Sequence, residues 1–274
     1  MLFAVVLLAY LAFRLLGRPG TWQLAADDTT GLVWTEGLIK IGLWVVPCLL
    51  VLRVTLRVGY AGVFDALGLG GGAARGYLFG LIATVPMLLV LPLERPLRFD
   101  AAAIVGTALL GPVAEEVLFR GFLFRQLYRR AGWIPRRAML ASALAFGVAH
   151  LGNVPLRGSE SFVPAVGEVG MTAAGGLLFA WVVFRWDSLW PAVGLHSFMN
   201  LSWEIFSDDG SRLAQTGATP IGSSLANGAR LLSIGVAVYL TLRRTWGVGS
   251  ANAPSIWAYR GPVPPPRPPG SGGI

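Results

Sequence analysis

Residues 101–124 read AAAIVGTALLGPVAEEVLFRGFLF. The stretch is as apolar and as long as a bilayer core demands, which takes ~20 residues of α-helix. Yet it carries Glu115, Glu116 and Arg120 among Val, Leu, Phe, Ala and Gly. A helix satisfies its own backbone N–H and C=O groups in lipid, whereas a loop or an unpaired strand does not. A charge inside such a helix is costly, so it turns toward the bundle interior and has a partner or a task.

Composition extends this reading to the whole chain. Of 274 residues, 54% are hydrophobic and 13% charged, against roughly 25% charged in a soluble domain. That deficit excludes a water-soluble surface. The net charge of +8 would suit nucleic acid, but the arginines fall between apolar runs and not along one face, as membrane topology requires. No nucleic-acid partner is expected. Cys48 is the single cysteine and sits in an apolar run, so there is no disulfide framework and no cysteine metal cluster. The opening MLFAVVLLAYLAF lacks a basic n-region and an A-x-A-type cleavage site, and reads as a retained first helix.

The expected fold is therefore all-α: a polytopic membrane protein with about eight transmembrane helices. The candidate spans are 1–17, 32–52, 77–93, 101–124, 138–154, 163–184, 188–206 and 225–242. The loops alternate in charge. Arg53, Arg57 and Arg75 follow the second span. Arg125, Arg129, Arg130, Arg136 and Arg137 follow the fourth, and Arg243, Arg244, Arg260 and Arg267 follow the eighth. The intervening loops are neutral or acidic, as with Glu204, Asp208 and Asp209 against Arg212. The arginine-rich side is cytoplasmic by the positive-inside rule, which puts both termini in the cytoplasm of a bacterial-type inner (plasma) membrane. Gly59 to Gly76 mixes apolar residues with glycine and reads as an interfacial helix followed by a flexible turn. Four regions result: N-terminal helices and loops at 1–99, a core at 100–205, a last loop and helix at 206–244, and a Pro/Gly-rich tail at 245–274.

Polar residues of three spans fall at one depth. By helical rise, Glu115 lies about 15 Å from Arg125, His150 about 20 Å from Arg137 and His196 about 14 Å from Asp187. Glu116 and Arg120 are four apart on one helix face and form a charge-assisted pair. Glu115, turned about 100° away, is the carboxylate left to act on water. His196 and Asn200 also share a face, and two donors aimed at one point suit an oxyanion. His150 can share a proton with Glu115. The same Glu115, His150 and His196 are also a zinc-like ligand set, although no HExxH is present. Glu36 and Lys40 read as a self-neutralising pair in the second span. Glu168 reads as structural or pore-lining. Gly175 and Gly176 allow close helix packing.

Three motifs then coincide. GPVAEEVLFRGFLFRQL contains EExxxR, AFGVAHL contains FxxxH at Phe146 and His150, and SLWPAVGLHSFMN contains HxxxN at His196 and Asn200. Together, over about residues 100–205, they resemble the CPBP family of CAAX proteases and bacteriocin-processing enzymes, also called the abortive-infection family. The resemblance implies an eight-helix, CAAX-protease-like bundle with a cytoplasm-facing cavity, acting as an intramembrane endopeptidase. It implies that Glu115 and His150 activate water, that His196 and Asn200 stabilise the oxyanion, and that Glu116 and Arg120 support the site. Family members are often named metalloproteases, while metal-free glutamate catalysis has been argued for related enzymes. The reading favoured here has no cofactor, with zinc as the alternative. The expected partners are the lipid bilayer and a membrane-associated or lipidated protein or peptide substrate. A proton-coupled transporter is the alternative that intramembrane Glu and His also suit, but repeated halves with broken helices are not seen. A non-catalytic membrane immunity or scaffold protein that retains the polar core is another.

Reporter fusions after Arg137 and after Arg212 are expected to report opposite sides of the membrane. The same side for both would overturn the expected topology.

Overall fold

The computed structural model describes residues 37–94, 101, 104–151, 162–205 and 224–246. Among them there are helices and turns and no strand. The described chain begins with α-helical residues 37–40, passes into a π-helical turn, π1 (Ile41–Val45), and continues as α1 (Val46–Leu56). A short helix α2 (Tyr60–Leu67) and the long α3 (Ala73–Glu94) follow. Next come π2 (Ile104–Leu110), α4 (Gly111–Glu116), π3 (Val117–Phe124) and α5 (Arg125–Arg129). The remainder is α6 (Pro135–Ala149), α7 (Phe162–Trp186), α8 (Trp190–Ile205) and α9 (Ser224–Trp246).

Three helical stretches, Gly37–Leu56, Ala73–Leu91 and Val166–Trp186, are long and apolar enough to cross a membrane. Helices also occupy the described parts of the other expected spans, whereas the span 1–17 lies outside the described residues, as do 206–223 and the residues from 247. The surface is inverted relative to a soluble protein. Leu38, Val54, Leu89, Met171 and Leu231 are more than half exposed, while Thr84, Glu115, Glu116, Arg120, Ser142, His196 and Ser202 are buried. Lipid tolerates the first set on the outside, and only the interior can pair the second. Three such helices and this inverted surface make the chain an integral membrane protein.

The fourth span is not the regular α-helix that the sequence reading used. It alternates π, α and π, and proline supplies the reason for part of this. Pro112 stands at the start of α4 directly after π2, and Pro47 at the start of α1 directly after π1. A proline ring clashes with the carbonyl four residues back and offers no N–H. A wider i→i+5 turn relieves both, and such turns recur at functional sites. In π3 the carbonyl of Phe119 accepts a hydrogen bond from Ser142 Oγ of α6 at 2.8 Å.

The most extensive helix pairs are α3 with α8, α6 with α7, and α3 with α9. Small residues permit the first. A Cβ on Gly80 would lie 2.2 Å from the Gly194 carbonyl carbon, and one on Gly194 would lie 2.2 Å from the Gly76 carbonyl oxygen. Backbones that meet this closely hold α8, and with it His196 and Asn200, against α3.

The expected helix between Gly59 and Gly76 is α2, which buries Val63 and Leu67 and ends at Gly68 in the left-handed region (φ 85°). Arg125 corrects the sequence reading, which made it a loop cation. It is 2% exposed. Its Nη1 donates to Asp187 Oδ1 at 2.9 Å and its Nε to the Ala66 carbonyl at 3.2 Å. Arg129 also pairs with Asp187. Arg125 thus ties α2 and the aspartate of the α7–α8 turn to α5 at the arginine-rich end.

Gly80→Leu is expected to prevent the α3–α8 contact, at a cost beyond the ~1–3 kcal/mol typical of overpacking. Gly175→Ala, where an added Cβ meets nothing within 4 Å, should leave folded yield and thermal midpoint in detergent unchanged. Equal behaviour of the two variants would contradict the close crossing.

Candidate active site

Glu115 and Glu116 close α4, where the geometry is regular and adjacent side chains diverge as expected. Glu116 takes the supporting position. Arg120 Nη1 donates to Glu116 Oε1 at 2.8 Å, and both side chains are fully buried (0%). The guanidinium is boxed by aromatic rings, 4.1 Å from the Phe146 centroid, 5.2 Å from Phe179 and 5.9 Å from Phe119. Ring faces attract a cation where water is absent. Gly176 leaves the room: a Cβ there would lie 3.0 Å from Arg120 Nη2 and 3.1 Å from Phe146 Cδ1. The sequence assigned Gly175 and Gly176 jointly to packing, and only Gly176 is in close contact. Phe146, the aromatic residue of FxxxH, is also 4.6 Å from the His150 ring and 6.1 Å from the His196 ring, centroid to centroid.

His196 lies between the two glutamates. Its Nδ1 is 2.9 Å from Glu116 Oε1 and its Nε2 is 3.7 Å from Glu115 Oε2. Phe179 stacks on its face at 4.9 Å. An ionised Glu116 only accepts, so Nδ1 carries the proton and the neutral ring presents a lone pair at Nε2. The sequence reading did not foresee the bond to Glu116. The spacing could not supply it, because the two residues are eighty positions apart.

His150 is not mid-helix, as the span 138–154 implied. Alpha geometry ends at Ala149 and His150 caps it, partly buried. Its Nδ1 donates to the Phe146 carbonyl at 2.8 Å, which leaves Nε2 as an acceptor. Among the described residues no hydrogen bond joins it to Glu115. Asn200 is half-buried one turn beyond His196 on α8.

Glu115 departs most from expectation. It is buried, but it is not an unpaired carboxylate. Lys40 Nζ donates to its Oε1 at 2.7 Å, with both side chains about nine-tenths buried. The sequence reading did not foresee this long-range pair; Glu36, the partner it expected for Lys40, lies outside the described residues.

The ligand set for zinc would be Glu115, His150 and His196. Among the described residues no group of three His, Cys, Asp or Glu side chains is gathered to hold a metal ion. The Lys40 ammonium occupies Glu115 Oε1, a positive charge where a cation would have to bind. As placed, these three side chains do not make a gathered ligand set.

Arg120→Leu is expected to leave Glu116 a buried, unpaired carboxylate, which typically costs ~3–5 kcal/mol. Folded yield should fall far more than in Glu115→Gln, measured by fluorescence-detected size exclusion. Equal loss in both would contradict the division between supporting and working glutamate.

No curated protein and no solved structure matches the chain. Residues 97–202 are matched by the family model described as "Rce1-like: Type II CAAX prenyl endopeptidase Rce1-like", so the segment that holds Glu115, Glu116, Arg120, His150, His196 and Asn200 is CAAX-protease-like, in agreement with the three motifs.

Proposed function

We propose that this protein is an intramembrane endopeptidase that hydrolyses a peptide bond of a membrane-associated or lipidated protein or peptide, using water activated without metal. The observation that carries the reading is the pairing of Glu115 Oε2 with His196 Nε2 across 3.7 Å in the bundle interior. The gap is too long for a direct hydrogen bond, and a water seated beside it can reach both atoms.

Glu115 Oε2 takes a proton as the water oxygen bonds to the scissile carbonyl carbon, and the carbonyl electrons move onto its oxygen. His150, with Nδ1–H committed to the Phe146 carbonyl, offers Nε2 to share that proton. His196 and Asn200 face the resulting oxyanion from α8. Because Nδ1–H of His196 is given to Glu116, its Nε2 donates to the oxyanion only after the neutral ring has taken up a proton from solvent, and the two glutamates flanking it stabilise that imidazolium. Collapse of the intermediate breaks the C–N bond, and Glu115 returns its proton to the leaving amine. The family match supports peptidase chemistry on this frame, and the lipid-facing leucines suit a substrate that arrives within the bilayer.

The test is turnover of an internally quenched, farnesylated CAAX peptide by enzyme in lipid vesicles. Glu115→Gln should abolish cleavage, and Asn200→Ala should lower kcat about 10²–10³-fold, as loss of one oxyanion donor does. Chelators should leave the rate unchanged. Undiminished turnover in Glu115→Gln would overturn the mechanism, and activity lost on chelation and restored by zinc would overturn its metal-free form.

A further inference from the structure

Lys40 lies outside residues 97–202, and none of the three motifs includes it. It is also the single lysine of the chain, every other basic side chain outside the two histidines being arginine. It is buried at the head of the Gly37–Leu56 stretch, whose π1 turn packs on α4 and π3. Its ammonium stands 2.7 Å from Glu115 Oε1 and 5.7 Å from the Trp44 ring centroid, and Trp44 meets Phe119 edge-to-face at 5.7 Å. Gly37, one turn before it, lies against Leu110 closely enough that a Cβ would come within 3.2 Å. This close approach sets where the backbone that carries Lys40 lies.

We propose that Lys40 is a positioning residue of the site, holding Glu115 by one oxygen so that the other, Oε2, is the atom that meets water. This rests on the protease reading above. The choice of lysine follows from geometry. An ammonium is a point charge that engages one carboxylate oxygen, whereas a guanidinium presents a planar fork that takes both. Arginine here would occupy Oε2 as well and close the gap to His196. The charged groups around Glu115 are Lys40 from the first described helix, His196 from α8 and His150 at the end of α6, with the Glu116–Arg120 pair behind it. Lys40 also allows an ionised Glu115 to exist in the apolar interior.

The experiment compares wild type, Lys40→Met, Lys40→Arg, Glu115→Gln and the Lys40→Met/Glu115→Gln double variant in lipid vesicles and in detergent. With the farnesylated quenched peptide, Lys40→Arg is expected to match the wild-type thermal midpoint while kcat falls at least about tenfold at nearly constant KM, the signature of an interaction lost in the transition state. Lys40→Met should lose kcat similarly and be destabilised. The double variant should be more stable than the sum of the single losses allows, as partners in one ion pair require. Wild-type kcat in Lys40→Arg overturns the one-oxygen argument. If Lys40→Arg does not fold, wild-type kcat in Lys40→Met overturns the role itself. Additive stabilities overturn the ion pair whether or not the peptide is cut. A wild type that leaves the peptide uncut while the stability coupling holds overturns the protease reading and the positioning role built on it.

Discussion

A charge moved from water into the interior of a helix bundle survives only beside a partner of opposite sign. The desolvation cost is several kcal/mol per ion, and removing one partner strands the other. Four such charges sit together here, as Lys40 with Glu115 and Arg120 with Glu116. Each pair binds its elements to the others. The first joins the Gly37–Leu56 stretch to α4, although the residues are far apart in sequence. The second stiffens the junction of α4 and π3. His196 then reaches from α8 to both carboxylates.

The two pairs are solvated differently, and this separates their tasks. Arg120 is enclosed by Phe119, Phe146 and Phe179, and its Nε and Nη2 have ring faces where hydrogen-bond acceptors would otherwise stand. Such a pair is rigid and closed. Glu115 keeps slight exposure, a single-point contact with Lys40 and an oxygen turned toward His196. Adjacent glutamates of one short helix thus acquire unlike surroundings, which is the usual route by which like groups take unlike roles.

Backbone irregularities set the stage for these contacts. The π turns ahead of Pro47 and Pro112 shift the register of the helices that bear Lys40 and the two glutamates. The glycine contacts at Gly80, Gly194 and Gly176 fix how near α8 and α7 come. At the arginine-rich end, Asp187 adopts a left-handed conformation (φ 50°), which aspartate tolerates better than most residues, and receives Arg125 and Arg129.

The amino-acid sequence alone determined the helical membrane class, because long apolar runs in a chain with 13% charged residues admit little else. It determined the Glu116–Arg120 pair, since an i,i+4 relation is local geometry. It also marked the residues of the candidate site through EExxxR, FxxxH and HxxxN, each a short-range pattern. The proline positions that accompany π1 and π2 were legible too, though their widening of the helix was not read from them. Only the tertiary structure decided that Lys40 pairs with Glu115, that His196 leans on Glu116, that Gly176 shelters Arg120, and that Arg125 is buried against Asp187. These contacts join residues on different helices. Helical periodicity specifies which face a side chain occupies, but not which other helix that face meets; close packing of glycine surfaces and the need to pair every buried charge decide that.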